Sequence, residues 1–205
     1  MLRLYINNWR GKNVTLYKNK YRVKSTRLPH RDYAANGWYF VTICTHNRIC
    51  YFGNIINRQM QLSPMGEIAK KFWLEIPQHF HHTYLDTYVI MPNHIHGIIV
   101  IDNPIGRDVA SNVSTSFKFE NEPNCDRVMS QMSPKTGSLA AIIRSYKSAV
   151  TRECRQKGYD SFRWQSRFYE HIIRQDGSLK QIQEYIVNNP AKWVEDRDNP
   201  ANLWI

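Results

Sequence analysis

The sequence lacks several features that mark large classes of proteins. Its four cysteines, Cys44, Cys50, Cys125 and Cys154, form no CxxC pair, which argues against a disulfide framework and against a zinc ribbon. It has no run of about 20 apolar residues, so we expect no membrane span. The opening residues MLRLYINNWR contain no continuous apolar region, so we expect no secretory signal and a reducing, cytoplasmic location.

Acidic residues are missing from the first 31 positions, which hold nine Lys or Arg and no Asp or Glu. Aromatic side chains lie among these basic residues, and such a mixture can bind phosphates and stack on unpaired bases. The chain of 205 residues has a formal net charge of +11, which favours a polyanionic partner, nucleic acid being the first candidate. The alternatives are a basic surface that serves solubility and an N-terminal tail with little fixed structure.

The length and the apolar content suffice for one domain. With 42% hydrophobic residues, the chain should fold around a core rather than stay disordered. We divide it into a basic N-terminal arm at 1–31, a single domain at 32–195 and a C-terminal tail at 196–205. Residues 102–137 are rich in Asn, Ser, Pro and Gly, which predicts a long surface loop inserted into the domain.

Periodicity and turn signals predict an alternation of strands and helices. Segments rich in β-branched or aromatic residues predict strands, and apolar residues at helical spacing predict helices. The strands are expected at 37–46, 84–91, 94–101 and 168–174, a turn or short hairpin at 51–63, and helices that begin near Ser63, Ser138 and Ser178 and stop at Pro77, Gly158 and Pro190. This order predicts an α+β fold, with an antiparallel sheet and helices packed on one face.

Two histidines interrupt the strand predicted at 94–101. Alternate residues of a strand point to the same face, so His94 and His96 should project together while Ile95 faces the other way. Two imidazoles at this spacing can bind one divalent metal ion. The alternative is a pair of ordinary histidines in a partly exposed strand, because a His-X-His pair alone is a weak signal.

The last predicted helix offers a third metal ligand and a nucleophile. Tyr185 stands four residues before Asn189, and residues at that spacing share a helix face. The amide oxygen of Asn189 suits a hard cation such as Mg²⁺ or Mn²⁺, and a tyrosine hydroxyl can attack a phosphodiester. Pro190 disfavours the α conformation for Asn189, which we expect to turn its side chain toward a ligand. The alternatives are a helix stop at Asn-Asn-Pro and a tyrosine that only packs.

Three segments, MPNHIHGIIVI, WQSRFYEHIIR and YIVNNPAKW, together resemble the single-tyrosine HUH transposases, in the branch of REP-associated tyrosine transposases. The likeness spans residues 22–195 apart from the insertion, and the HUH triplet is His94, Ile95 and His96. The resemblance implies a ferredoxin-like fold, Tyr185 as the nucleophile, and His94, His96 and Asn189 as ligands of Mg²⁺ or Mn²⁺. It also implies single-stranded DNA as substrate, often read as a hairpin, with a 5′-phosphotyrosine intermediate.

Basic residues outside these motifs are candidate DNA contacts. They are Arg22, Lys24, Arg27 and Arg31 near the N-terminus, and Arg144, Lys147 and Arg174 in the domain. Such side chains can bind phosphates, although a solvated basic face is the alternative. Tyr169 is a rival nucleophile on a predicted strand, and we interpret Tyr169, Glu170 and His171 as core or site support.

Three functions are compatible with these features. The first is a metal-dependent DNA strand transferase, acting as a monomer or homodimer on single-stranded or hairpin DNA, with no membrane partner. The second is a non-catalytic nucleic-acid-binding module derived from such an enzyme. The third is a small metallohydrolase acting on nucleotides, which would turn over without a covalent adduct. The joint presence of His94, His96, Tyr185 and Asn189 favours the first.

Overall fold

The structure, a computed structural model, describes residues 35–103, 134–174, 177–196 and 198–202, together with the backbone at 15–17 and 20–22. The chain divides into two compact units, Met1–Arg31 and Asp32–Ile205. In the first unit, β1 (Thr15–Tyr17) and β2 (Lys20–Arg22) form an antiparallel pair. Most of the surface loop predicted at 102–137 lies outside the described residues.

The second unit has a ferredoxin-like arrangement. In chain order its elements are β3 (Gly37–Cys44), β4 (Gly53–Ile56), β5 (Gln59–Leu62), α1 (Pro64–Leu74), α2 (Ile76–His79), β6 (Thr83–Ile90), β7 (His94–Ile101), α3 (Leu139–Gln156), β8 (Tyr169–Ile173) and α4 (Ser178–Asn188). Within the described residues, β6, β7, β3 and β8 are neighbours in that order in one sheet, and each adjacent pair is antiparallel. The remaining strands β4 and β5 form a separate hairpin. The predicted α+β fold is confirmed, with α1 and α3 as the two crossover helices.

One face of the sheet packs against α1 and α3 and forms the core. The residues on this face alternate along the two central strands and are buried: Tyr39, Val41 and Ile43 of β3, and Ile95 and Ile99 of β7. On the helix side, the fully buried ring of Trp73 lies 5.5 Å from the ring of Tyr146. Trp73 also fills the space above Gly97, where an added Cβ would lie 2.3 Å from Trp73 Cζ2. The close approach of α1 to β7 therefore requires glycine at this position.

The helix ends follow the predicted signals except at Pro77. Ser63 caps α1 by accepting a hydrogen bond from Gly66 N over 3.1 Å, and Ser138 caps α3 by accepting one from Ala141 N over 3.3 Å. However, α1 ends at Leu74, and Pro77 lies in the first turn of α2 instead of ending a helix. A proline is tolerated there because the first N–H groups of a helix have no partner within the helix. None of the helices in the described ranges is both long and apolar enough to cross a membrane.

The other face of the sheet is partly covered by α4. Ile182 and Ile186 of this helix are buried, and Gln183 Nε2 donates to Asp86 Oδ1 of β6 over 2.8 Å. The ring of Tyr185 lies 6.2 Å from that of Phe40 in β3, whose sequence neighbours point into the core. The crossover helices α1 and α3 thus share one face as predicted, and α4 is an addition on the opposite face.

Candidate active site

His94 and His96 lie side by side on the α4 face of β7, as strand alternation predicts. Their ring centroids are 4.5 Å apart, and the residues are 0% and 4% exposed. Ile95 between them belongs to the core. The pair is therefore buried, in contrast to the alternative of two histidines in a partly exposed strand. Buried imidazoles need hydrogen bonds or a ligand to offset the loss of water.

Each histidine makes a hydrogen bond through Nδ1. His94 Nδ1 lies 2.8 Å from Asn93 Oδ1, and His96 Nδ1 lies 2.9 Å from Thr42 Oγ1. The ring of His96 also stacks on that of Phe40, with centroids 5.4 Å apart. Histidines that bind metal usually hold their other ring nitrogen in a hydrogen bond, which fixes the ring orientation. The two Nδ1 contacts therefore suit a pair that binds a metal through Nε2.

Tyr185 extends from α4 to this pair. Its hydroxyl oxygen lies 3.3 Å from His96 Nε2, across 89 positions of sequence, and the two ring centroids are 5.3 Å apart. The contact lies within one chain, so β7 and α4 of the same molecule supply both groups. The predicted nucleophile and a predicted metal ligand are thus brought together by the fold.

Asn189 follows Tyr185 by one helical turn, at the junction of α4 and the 3-10 helix Pro190–Glu195. Its backbone is α-helical, with φ −60° and ψ −43°, so the prediction that Pro190 would turn it out of the α conformation was wrong. The helical path continues because Pro190 opens a new 3-10 helix, where its missing N–H removes no hydrogen bond. Lys192 N donates to Asn189 O over 3.0 Å and holds this junction. Tyr185 and Asn189 therefore stay on one face.

The side-chain oxygen of Asn189 is buried and makes no hydrogen bond within the described part of the chain. The residue lies between Tyr185, which contacts His96, and Trp193, whose ring is 6.0 Å from that of His94. A buried amide oxygen without a partner is costly, and a metal ion at the histidine pair would supply one. Among the described residues, no group of three His, Cys, Asp or Glu side chains can hold a metal ion. The amide oxygen of Asn189 offers a third ligand of another kind, and two imidazoles with one amide oxygen fit a divalent cation.

The segment around Tyr169 divides between the two faces of the sheet. Tyr169 pairs with Thr42 and His171 with Phe40, so both lie on the histidine face. Glu170 pairs with Val41, on the core face. The ring of Tyr169 lies 6.4 Å from the ring of Phe40, and Thr42 stands between Tyr169 and His96 in the strand order. The hydroxyl of Tyr185 lies within hydrogen-bond distance of the histidine pair.

The basic candidates on α3 do not gather at this site. Arg144 is exposed on α3, which packs against the opposite face of the sheet. Lys147 Nζ donates to the backbone oxygens of Gln165 over 2.7 Å and of Arg167 over 3.0 Å. Burial lowers the pKa of Lys147 to about 8. These contacts show that Lys147 has an internal role in tying α3 to the segment before β8.

The other basic candidates lie farther along the sheet or outside the described side chains. Arg174 is exposed and follows Ile173, which pairs with Trp38 at the end of the sheet remote from the Cys44–His94 pair. Arg22 belongs to β2, and only its backbone is described. The remaining candidates, Lys24, Arg27 and Arg31, lie outside the described residues. Their contacts with DNA stay predictions.

Sequence reasoning missed the residues that support the histidines. Asn93 follows Pro92, and Pro-Asn indicates a turn without indicating that the asparagine supports a histidine. Thr42 is brought to His96 by the register of β3 against β7, which the sequence alone does not give. Trp193, by contrast, stands four residues after Asn189, and the spacing that linked Tyr185 to Asn189 would have found it.

Comparison with known proteins gives similarities of different strength. No family model matches the sequence. A solved structure of a REP-associated tyrosine transposase bound to a REP hairpin aligns with 81% of this chain and 74% of its own, at 21% identity and a TM-score of 0.49. A Deinococcus radiodurans protein described as a candidate transposase aligns with 79% of this chain and 97% of its own, at 15% identity and a TM-score of 0.35. Neither alignment is close enough to bear on function.

A much closer relative is found by sequence. A Haemophilus influenzae protein described as uncharacterized is 40% identical over 175 residues, which cover 85% of this chain and 91% of that protein. Identity at this level over nearly the whole of both chains indicates common descent and a shared fold. The chain belongs to the family of this Haemophilus influenzae protein.

Proposed function

We propose that the protein is a metal-dependent transposase that cleaves and rejoins single-stranded DNA through a covalent 5′-phosphotyrosine at Tyr185. The observation that carries the proposal is the 3.3 Å contact between Tyr185 Oη and His96 Nε2. It joins a nucleophile to a buried histidine pair whose Nδ1 atoms are already held. The resemblance of the three sequence motifs to the HUH transposases supports the same assignment.

Tyr185 would act as the nucleophile of both cleavage and rejoining. In cleavage, its oxygen forms a bond to phosphorus while the bond from phosphorus to the 3′ oxygen breaks. The downstream DNA fragment stays on the tyrosine through its 5′ phosphate, and the upstream fragment leaves with a free 3′-hydroxyl. The proton that the phenol loses is balanced by the proton that the 3′ oxygen gains. Because one phosphodiester replaces another, the reverse reaction rejoins strands without an external energy source.

His94, His96 and Asn189 would hold the divalent cation, Mg²⁺ or Mn²⁺. When bound, the ion stabilises the charge that develops on the scissile phosphate. A metal ion bound to His96 through Nε2 would use the one lone pair that this nitrogen can offer, and no hydrogen bond to the hydroxyl of Tyr185 could form there. Tyr185 must therefore give up its contact with His96 in the loaded enzyme, which would release the hydroxyl toward the substrate.

The proposed partner is single-stranded DNA, read as a hairpin of the REP type. The net charge of +11 suits such a polyanion. Because Tyr185 reaches His96 of its own chain, one molecule supplies the nucleophile and the metal ligands. On this ground we propose that a monomer suffices for the reaction.

Covalent trapping on hairpin DNA tests this function. The protein is incubated with Mg²⁺ or Mn²⁺ and a pool of single-stranded hairpins with varied flanks, and adducts are resolved on a denaturing gel. We expect an adduct with the natural sequence, none with Tyr185→Phe, and an undiminished adduct with the matched control Tyr169→Phe. The Tyr185→Phe variant should still bind Mn²⁺, because it keeps all three proposed ligands.

Other outcomes of this experiment would contradict the proposal in distinct ways. An adduct that survives in Tyr185→Phe and disappears in Tyr169→Phe would transfer the nucleophile to β8. Binding of hairpins without cleavage under either metal would favour a nucleic-acid-binding module. Turnover of DNA or nucleotides without any adduct would favour a metallohydrolase.

A further inference from the structure

Asn93 is fully buried between His94 and the C-terminal segment. We propose that Asn93 is a positioning residue that fixes the tautomer of His94, so that Nδ1 carries the hydrogen and Nε2 carries the lone pair. The role of this tautomer in metal binding rests on the proposed function. The tautomer itself is a property of the metal-free protein and can be measured separately.

The orientation of the Asn93 amide is set by two backbone oxygens. Its Nδ2 donates to Arg48 O over 2.9 Å and to Asp198 O over 2.7 Å. A primary amide nitrogen has two hydrogens, so both are used. A flipped amide would instead point its oxygen at two carbonyl oxygens, which repel it and have no hydrogen to give. The amide oxygen Oδ1 must therefore face His94.

This orientation determines where the hydrogen lies on His94. Oδ1 of Asn93 can only accept a hydrogen bond, and it is 2.8 Å from His94 Nδ1. Contact at this distance is favourable only if Nδ1 carries a hydrogen. In a neutral imidazole the other nitrogen then carries the lone pair, and that lone pair is what a metal ion binds. Asn93 thus selects the form of His94 that binds metal through Nε2.

The neighbouring His96 is held differently. Its Nδ1 lies 2.9 Å from the hydroxyl oxygen of Thr42, and a hydroxyl can donate or accept. Thr42 is therefore compatible with either tautomer of His96. The contrast gives a matched control, since Thr42→Val removes the partner of one histidine and leaves Asn93 and His94 unchanged.

Two segments far apart in sequence hold Asn93. In the 3-10 helix His46–Arg48, Asn47 and Arg48 have φ of 52° and 57°. Asparagine adopts this left-handed conformation readily, whereas it is uncommon for arginine. This local backbone directs the Arg48 carbonyl to Asn93. Asp198 supplies the second carbonyl, and its carboxylate forms an ion pair with Arg48. The C-terminal segment is therefore part of the support of His94.

Nitrogen NMR of the histidine rings in the metal-free, full-length protein tests the inference. Long-range ¹H–¹⁵N spectra distinguish the two neutral tautomers, and the signals of His94 are assigned with His94→Gln. We expect the Nδ1–H tautomer in the natural sequence and a mixture of the two tautomers in Asn93→Ala. Thr42→Val should leave His94 unchanged.

Titration with Mn²⁺, followed by the EPR signal of the free ion, gives a second readout. Loss of the orienting contact in Asn93→Ala should weaken Mn²⁺ binding by about 10- to 100-fold. An Nε2–H tautomer of His94 in the natural sequence would overturn the inference, whether or not the variants fold. An unchanged, pure Nδ1–H tautomer in Asn93→Ala would also overturn it. If His94→Gln binds Mn²⁺ as tightly as the natural sequence, the proposed metal site fails, and the NMR result alone then decides the role of Asn93.

Discussion

The two faces of the central sheet come from the same strands and differ in what they do. Toward α1 and α3, alternate residues of β3 and β7 are apolar and pack around Trp73. Toward α4, the intervening residues carry imidazole, hydroxyl and aromatic groups that contact one another, among them His94, His96 and Thr42. Adjacent residues of β7 therefore face either the core or the proposed active site. A substitution on the core face should reduce stability, and a substitution of its neighbour should reduce metal binding.

The two faces are also stabilised by different physical effects. Apolar burial stabilises the core face in proportion to the area removed from water. On the other face, buried polar atoms are tolerated where they have partners, as His94 does through Asn93. The oxygen of Asn189 is buried without such a partner in the described structure. The core face therefore stabilises the fold. The α4 face carries a free-energy cost at the Asn189 oxygen, and a ligand bound to that oxygen would offset the cost.

The largest expected effect is on the core face, at Gly97. A Cβ there would lie 2.3 Å from Trp73 Cζ2, and the indole is fully buried. We expect Gly97→Ala to lower the free energy of unfolding by about 3 kcal/mol and Gly97→Val to prevent folding. Urea denaturation followed by circular dichroism measures this. If the clash is the cause, Gly97→Ala should cost much less in a Trp73→Leu background; equal costs in both backgrounds would contradict it.

The next effect compares neighbours on opposite faces. Ile95→Ala should lower the free energy of unfolding by about 2 to 5 kcal/mol, because it leaves a cavity in the core, yet Mn²⁺ binding and adduct formation should persist below the melting range. His94→Gln should lower it by only about 1 kcal/mol and abolish Mn²⁺ binding. Thermal unfolding measures the loss of stability in each variant, and Mn²⁺ titration measures the loss of metal binding. Similar losses of stability and of metal binding in both would show that the two faces are not separable.

A smaller effect, of opposite sign, is expected at Asn189. Asn189→Leu replaces a buried oxygen that has no partner among the described residues. The metal-free protein should therefore gain about 1 kcal/mol in the free energy of unfolding, while its affinity for Mn²⁺ falls. A loss of stability with unchanged Mn²⁺ affinity would instead make the amide a structural group. Urea denaturation with and without Mn²⁺ separates these outcomes.

The smallest effect is a pH dependence on the core side, at Lys147. Burial lowers its pKa from 10.5 to about 8, so between these values the unfolded chain binds more protons at this residue than the folded protein does. Stability from this group should therefore rise with pH from about 8 to about 10.5. Relative to Lys147→Met, the natural sequence should gain on the order of 1 kcal/mol between pH 8 and 10, reduced by solvent screening. A constant difference over this range would contradict the shifted pKa.

The sequence predicted a structural feature correctly where that feature depends on a few neighbouring residues. Ser63 and Ser138 cap their helices as expected because a cap needs only the next few residues. The helix stop expected at Pro190 is confirmed, because α4 ends at Asn188. The stop expected at Pro77 and the non-helical backbone expected for Asn189 were wrong. Both prolines lie in the first turn of a further helix, where a proline removes no existing hydrogen bond. The sequence near each proline did not indicate that another helix would begin there.

The sequence by itself determined that His94 and His96 share a face, and that Tyr185 and Asn189 share another, because strand and helix periodicities are local properties of the backbone. Only the tertiary structure decided that these two faces meet, through the packing of α4 on the sheet across 89 positions. It also decided that Asn93 supports His94, since the carbonyls of Arg48 and Asp198 reach Asn93 only in the folded chain. Contacts between distant segments depend on how elements pack, and periodicity holds no information about that.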